Sequence, residues 1–322
     1  MDLRLGTVLP SRELALASVH DPSPIVALAA DLDTAGVDSL WVGESITARP
    51  RIDTYTLLAA VAAVTSDATL GTAVLLPALR NPVAFAHQVA GLDRLAQGRL
   101  VVGVGAGFPG PDTQSEFAAL GADYHRRVSG TEATLTAARA IWRAAATGEQ
   151  AADPTGRFGF DGVAITPAPT TTDGPPTWLA TATPGGLRRC GEHHDGWLPY
   201  PPEPADYAAG LAQVRSAADA AGRDPNTIDA GLYVTAAIGS GTTSQQRLDD
   251  YCNAYYGGPS DLVGLIQALV PGTLTQVVDR LSAYIEAGAR HLVIRHATLD
   301  PTLIADEAQQ LHDAVRARYA GT

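Results

Sequence analysis

Gly105, Gly107 and Gly110, in the stretch GAGFPG, fit the spacing G-x-G-x-x-G. Glycines so spaced let backbone amides close on a pyrophosphate at a helix N-terminus, which is the chemistry of dinucleotide binding. The context argues against that chemistry. The fingerprint belongs after the first strand of a βαβ unit, opens directly into a helix, and needs an acidic residue about 20 positions on for the ribose. Here it follows the fourth strand-like run, Pro109 and Pro111 flank the last glycine, and ADYHRRVSG stands where an acidic strand end is required. A strand-end loop that approaches some other ligand fits better. A plain turn and a nicotinamide dehydrogenase are the alternatives.

The cation inventory removes further mechanisms. All 22 basic residues of the 322 are arginine. No lysine exists for a Schiff base, for pyridoxal phosphate or for a P-loop. Only Cys190 and Cys252 occur, far apart, so no structural zinc spacing exists and both read as core thiols. No metal site is expected; the pair His193–His194 reads as a helix end. The net charge of −12 makes nucleic acid a poor partner. No apolar run approaches the roughly 20 residues of a membrane span. The N-terminal MDLRLGTVLP lacks the pattern of a secretory signal. A cytoplasmic protein without membrane contact is expected.

Any site must be positioned by the elements that surround it. Short β-like runs lie at 3–8, 39–43, 69–76, 99–106, 177–181, 196–199, 231–238 and 291–297, separated by segments of helical periodicity. Ile25, Leu28, Ala29 and Leu32 share one face of such a segment, and Gly36 ends it. Pro82 opens another and Gly98 closes it. Strand–helix alternation repeated eightfold predicts an α/β fold, a single (β/α)8 TIM barrel domain over 1–322. Two insertions break the rhythm. Residues 148–176 read as a small hairpin or ordered loop before strand five, and 239–272 as a helical excursion before the eighth strand.

Barrel chemistry gathers where strands end. That rule selects Glu44, Arg80, Tyr200, Arg295 and His296. Arg49, Arg51, Arg126 and Arg127 are further candidates for an anionic group. Tyr251, Tyr255 and Tyr256 read as packing residues of the late insertion.

Several separated stretches carry a resemblance. They are DTAGVDSLWVGES (33–45), LGTAVLLPALRNPVAFAHQVAGLDRLAQGRLVVGVGAGF (70–108), EFAALGADYHRR (116–127) and PPTWLATATPGGLRRCGEHHDGWLP (175–199). Together they resemble the luciferase-like monooxygenase family, whose members use reduced flavin mononucleotide or the deazaflavin coenzyme F-420. The resemblance implies a non-prolyl cis peptide at Ala73–Val74 supporting the cofactor ring. It implies backbone from Gly105, Gly107 and Phe108 around the cofactor. It places the cofactor phosphate at Thr181, Ala182, Thr183, Gly185 and Gly186. Hydroxyls and free amides at a helix N-terminus form an anion site without lysine, and Thr183 before Pro184 also reads as an ordinary N-cap.

Many relatives carry a histidine after the acidic residue that ends strand two, but here Ser45 follows Glu44. Serine cannot titrate near neutrality as histidine does. The catalytic candidates are therefore Glu44, Ser45 and His296, with Arg80, Tyr200 and Arg295 for substrate. The leading implication is a monooxygenase that takes reduced FMN from a separate flavin reductase and uses O2 on a small organic substrate. Hydride transfer with coenzyme F-420 is the alternative enzyme, and a non-catalytic flavin-binding barrel the alternative of another class. The resemblance also implies a homodimer.

Overall fold

The computed structural model describes residues 3–319. The ends of the expected 1–322 domain, residues 1–2 and 320–322, lie outside the described residues. Nine strands are present among the described residues: β1 (Arg4–Val8), β2 (Ser39–Val42), β3 (Thr69–Thr72), β4 (Leu100–Val104), β5 (Thr177–Leu179), β6 (Gly196–Trp197), β7 (Asp229–Ile238), β8 (Leu269–Gly272) and β9 (His291–His296). The helices are α1 (Ser11–Leu16), α2 (Ser23–Thr34), α3 (Thr54–Val64), α4 (Pro82–Leu95), α5 (Pro111–Ala119), α6 (Arg127–Thr147), α7 (Pro184–His193), α8 (Pro204–Ala220), α9 (Thr242–Tyr256), α10 (Ser260–Val263), α11 (Leu274–Glu286) and α12 (Ile304–Tyr319). The strand order β6-β5-β4-β3-β2-β1-β9-β7, with β6 also paired to β7, closes an eight-stranded parallel (β/α)8 barrel, and β8 is an extra strand on β7.

Packing divides the chain into two compact units. One comprises the residues up to Trp41, Thr65–Ala68 and the chain from Trp178; the other comprises Val42–Val64 and Thr69–Thr177. In the first, β1 pairs with β2 and β9, and β7 pairs with β6, β8 and β9, all in parallel. Trp178 on β5 and His291 on β9 meet edge to face, ring centroids 5.1 Å apart, although their strands are not neighbours. That contact identifies the lumenal face of β9. Side chains alternate along a strand, so His291, Val293 and Arg295 face the lumen, and Leu292, Ile294 and His296 face the surrounding helices.

The second unit holds β3 and β4 in register, Leu70 opposite Leu100. A side chain at Gly103 would collide with the Thr72 carbonyl oxygen, so only glycine permits this approach. The predicted start of α4 is present: Asn81 caps Val83 N–H at 2.9 Å with Pro82 in the first turn. Trp142 of α6 donates to Ala86 O of α4 at 2.9 Å.

The segment 148–176 forms a small hairpin-like loop, with Ala151 and Val163 exchanging backbone hydrogen bonds of 2.8 and 3.0 Å. α4 anchors its far end. Buried Asp93 accepts from Thr170 N and Oγ1, both at 2.6 Å, and Arg94 donates to Ala168 O and Pro169 O. Pro176 O then accepts from Val102 N at 2.8 Å, which carries the chain into β5.

Two expectations need correction. The strand foreseen at 69–76 ends at Thr72; the Ala73–Val74 peptide is cis, and the chain continues beside β4 only as an isolated bridge of Leu75 with Val104. The late insertion is not only helical, since its end, Leu269–Gly272, is β8. Pro271 and Gly272 disguise it. A proline is tolerated there because β8 is an edge strand, paired only with β7.

Replacing Asp93 with alanine removes two charge-assisted hydrogen bonds that tie the 148–176 loop to α4. We expect a loss of about 1–3 kcal/mol in stability, measured as a lower urea midpoint with unchanged slope.

Candidate active site

Glu44 and Arg80 form one centre of the second unit. Glu44 Oε1 pairs with Arg80 Nη2, and Glu44 Oε2 accepts from Leu76 N at 2.7 Å. The side chains are 3% and 13% exposed, so this is a buried pair. Arg80 also lies over the Tyr55 ring, 5.0 Å from its centroid. Burial works against the Arg80 charge, but the hydrogen bond and the attraction of Glu44 outweigh it and raise its pKa. Glu44 thereby fixes the turn that follows the Ala73–Val74 cis bond. Both carboxylate oxygens are engaged, so Glu44 acts as a positioning group here.

Ser45 serves the loop after β2. Its hydroxyl donates to Glu116 Oε1 at 3.0 Å and accepts from Arg49 N at 2.8 Å. The same Glu116 oxygen accepts from Ile46 N at 2.6 Å, Thr47 N at 2.8 Å and Ala48 N at 3.3 Å. Glu116 is buried on α5 and organises the whole turn. Sequence reasoning missed it, although it opens the quoted stretch EFAALGADYHRR. The available signal was an acid directly before Phe117, the one aromatic residue of the helix.

The glycine loop belongs to this unit. Gly105 N donates to Leu75 O at 2.9 Å, Gly107 takes the left-handed conformation at φ +81°, and Phe108 is 55% exposed. Gly110 precedes Pro111 at the start of α5. Ala73 and Val74 are partly exposed.

The first unit holds the turn before α7. Thr183 Oγ1 accepts from Gly186 N at 3.2 Å, with Pro184 in the first turn, which is the N-cap the sequence predicted. A side chain at Gly186 would collide with the Thr181 hydroxyl. Ala182, Thr183 and Gly185 are exposed, and the Gly185 amide lies in the first turn, where no intrahelical acceptor exists. A Cβ at Gly185 would stand 3.6 Å from Arg189 Nη1, so a guanidinium lies beside the free amide. Two hydroxyls, an open amide and a guanidinium suit an anionic phosphate. Arg189 was not among the predicted residues, although its place one turn after Gly185 made it available.

Arg295 and His296 part company. Arg295 points into the lumen. Its Nη1 pairs with Glu13 Oε1 at 2.6 Å and donates to Tyr251 OH at 3.2 Å, while its Nε donates to Tyr233 OH. Tyr251 OH donates to the same Glu13 oxygen at 2.5 Å, and Tyr255 lies under the guanidinium, 4.3 Å away. His296 points to the helix layer, with Nδ1 3.3 Å from Glu307 Oε2 of α12. It is therefore not grouped with Arg295, contrary to the expectation of a lumenal imidazole, because neighbours on a strand face opposite ways. Burial opposes ionisation of Glu307, but the neighbouring His296 and the Arg247 guanidinium prevail and lower its pKa. Tyr200 follows β6 and is partly exposed, and burial raises the pKa of its phenol. Among the described residues no group of His, Cys, Asp and Glu is arranged to hold a metal ion, and no helix is long and apolar enough to cross a membrane.

Comparison with known proteins follows this geometry. The family model described as luciferase-like monooxygenase matches residues 3–268. A phthiodiolone/phenolphthiodiolone dimycocerosates ketoreductase of Mycobacterium bovis is 30% identical over 239 residues, 67% of this chain and 59% of the relative. A 5,10-methylenetetrahydromethanopterin reductase of Methanolobus tindarius is 27% identical over 203 residues, 63% of this chain and 58% of the relative. The matched region thus spans less than two thirds of these relatives. Among solved structures, an F420-dependent secondary alcohol dehydrogenase in complex with an F420-acetone adduct superposes with a TM-score of 0.81 at 17% identity, over 98% of this chain and 100% of the other. A monooxygenase from Streptomyces bottropensis superposes with a TM-score of 0.80 at 20% identity, again over 98% and 100%. These likenesses establish the fold.

Glu44→Ala would strand the buried Arg80 guanidinium, and we expect about 3–5 kcal/mol of lost stability. The double variant Glu44→Ala/Arg80→Ala should recover part of it. Chemical denaturation of the four proteins in the cycle measures both, and additivity of the two single losses would show that the pair is not coupled.

Proposed function

This chain belongs to the luciferase-like monooxygenase family, and on that premise we propose that it is an oxidoreductase that binds a flavin-type cofactor, coenzyme F-420, and moves a hydride between it and an organic substrate. The observation that carries the choice is the open turn before α7. Ala182, Thr183 and Gly185 are exposed, and Arg188 on the next turn has a side chain 69% exposed. A cofactor whose chain continues past its phosphate can leave by this turn, with a cation beside the exit. The relatives named above as reductases support the same direction.

The residues present fit such a group. Thr181, Thr183, the Gly185 amide and Arg189 would hold the phosphate. When bound, the deazaflavin supplies the hydride chemistry, and the chain supplies binding, orientation and exclusion of water. Glu44 and Glu116 contribute by fixing the loops after β3 and β2. The second reading is the monooxygenase with reduced FMN, O2 and a separate reductase. It is favoured by the family description and by the superposable Streptomyces monooxygenase.

Titration of the purified protein with each cofactor, read by fluorescence quenching, separates the readings. We expect micromolar binding of coenzyme F-420 and weaker binding of FMN; FMN binding alone would reverse the order. Gly185→Asp places a negative charge in an exposed turn beside Arg189. It should weaken cofactor binding at least about tenfold with unchanged folding, since like-charge juxtaposition costs more than 1.4 kcal/mol. Unchanged affinity would remove the phosphate assignment.

A further inference from the structure

We propose that Tyr233 is a substrate-binding residue that donates a hydrogen bond to a neutral, acceptor oxygen of the substrate, a carbonyl above all, and that Arg295 is the positioning residue behind it. This rests on the oxidoreductase reading and adds the class of substrate.

The argument is a count of hydrogen-bonding valences on the lumenal face. A phenol has one proton to give and lone pairs to accept with. Tyr251 uses both functions: it accepts from Arg295 Nη1 and gives its proton to Glu13 Oε1. Tyr233 uses only one. It accepts from Arg295 Nε, and its own proton has no acceptor among the described residues. The bond from Arg295 occupies a lone pair and so leaves the proton for a further partner. Tyr233 is partly exposed while the Arg295 side chain behind it is 3% exposed, so an incoming molecule meets the phenol first. Burial pushes the Tyr233 phenol well above its usual range against the opposing effect of Arg295. The proton therefore stays in place as a donor.

One more valence is unfilled: Glu13 Oε2 is buried without a partner. Such a group is costly unless something completes it. The donor that faces an incoming molecule is the Tyr233 hydroxyl, and a donor selects an acceptor oxygen.

Charge then decides which oxygen. Arg295 is already neutralised by Glu13 at 2.6 Å, both side chains 3% exposed. A carboxylate arriving there would be an uncompensated buried anion. A ketone or aldehyde brings the same acceptor without the charge. The cluster thus accepts neutral carbonyl compounds and, through the same lone pairs, the corresponding alcohols.

The test uses the full chain, without cofactor and again with cofactor at saturation. Linear methyl ketones from butanone to decanone and the carboxylates of matching length are titrated while binding is followed by ligand-observed NMR. The wild type should bind ketones and discriminate against the carboxylates at least about tenfold. Tyr233→Phe should weaken the ketones by about tenfold, the worth of one hydrogen bond, and leave cofactor affinity unchanged. Glu13→Gln leaves Arg295 uncompensated, so the preference should shift toward carboxylates by at least about tenfold, which a merely structural role would not produce. Preference of the wild type for carboxylates would overturn the proposal, as would ketone affinity indifferent to Tyr233→Phe or a fall in cofactor affinity in that variant. If Glu13→Gln fails to fold, the Tyr233→Phe comparison decides alone. Failure of the cofactor reading would show separately, as a wild type that binds neither flavin nor deazaflavin.

Discussion

A guanidinium that is 3% exposed must be neutralised where it lies. Arg295 imposes that constraint on the first unit, and much of the unit is arranged to meet it. α1, which follows β1, presents Glu13. α9 turns Tyr251 and Tyr255 toward the same point, and β7 places Tyr233 against Nε. Burial works against the Arg295 charge, but the surrounding phenols and Glu13 raise its pKa well above the ordinary value. The pair gains little stability against an apolar substitute. What it supplies is specification: α1, β7 and α9 converge on one planar group of β9 with directional bonds.

The second unit uses carboxylates in a similar way. Glu44 holds the turn after β3, and one oxygen of Glu116 gathers three backbone amides and the Ser45 hydroxyl. Acids at the ends of barrel strands invite an acid–base reading. In this protein Glu44 and Glu116 shape loops.

The sequence exposed the regular parts of this arrangement. Strand–helix alternation gave the barrel, Pro82 and Gly98 bracketed α4, and Thr183–Pro184 marked the start of α7, because these signals are local. Glu13 escaped notice for the opposite reason. It sits on a six-residue helix too short to show periodicity, and its partner Arg295 is 282 positions away. Ser45 and Glu116 are 71 positions apart, and neither residue type announces the other. β8 was hidden by Pro271 and Gly272, which are admissible only on an edge that pairing alone reveals. Arg295 and His296 looked equivalent at the end of the same strand. Their separation becomes visible only when the lumenal face is fixed by the contact of His291 with Trp178.

That separation has a consequence for how such a chain can change. β9 is buried on both faces, with a polar group on each: Arg295 inside, His296 outside. A strand repeats every two residues, so inserting or deleting one residue exchanges its faces. One lost codon within β9 would send the imidazole into the lumen and the guanidinium among the helices, and would dissolve both polar networks together. Divergence along β9 must therefore proceed by replacement at constant length, whereas the 148–176 loop, anchored at its far end by Asp93 and Arg94, can grow or shrink without disturbing the register of the barrel.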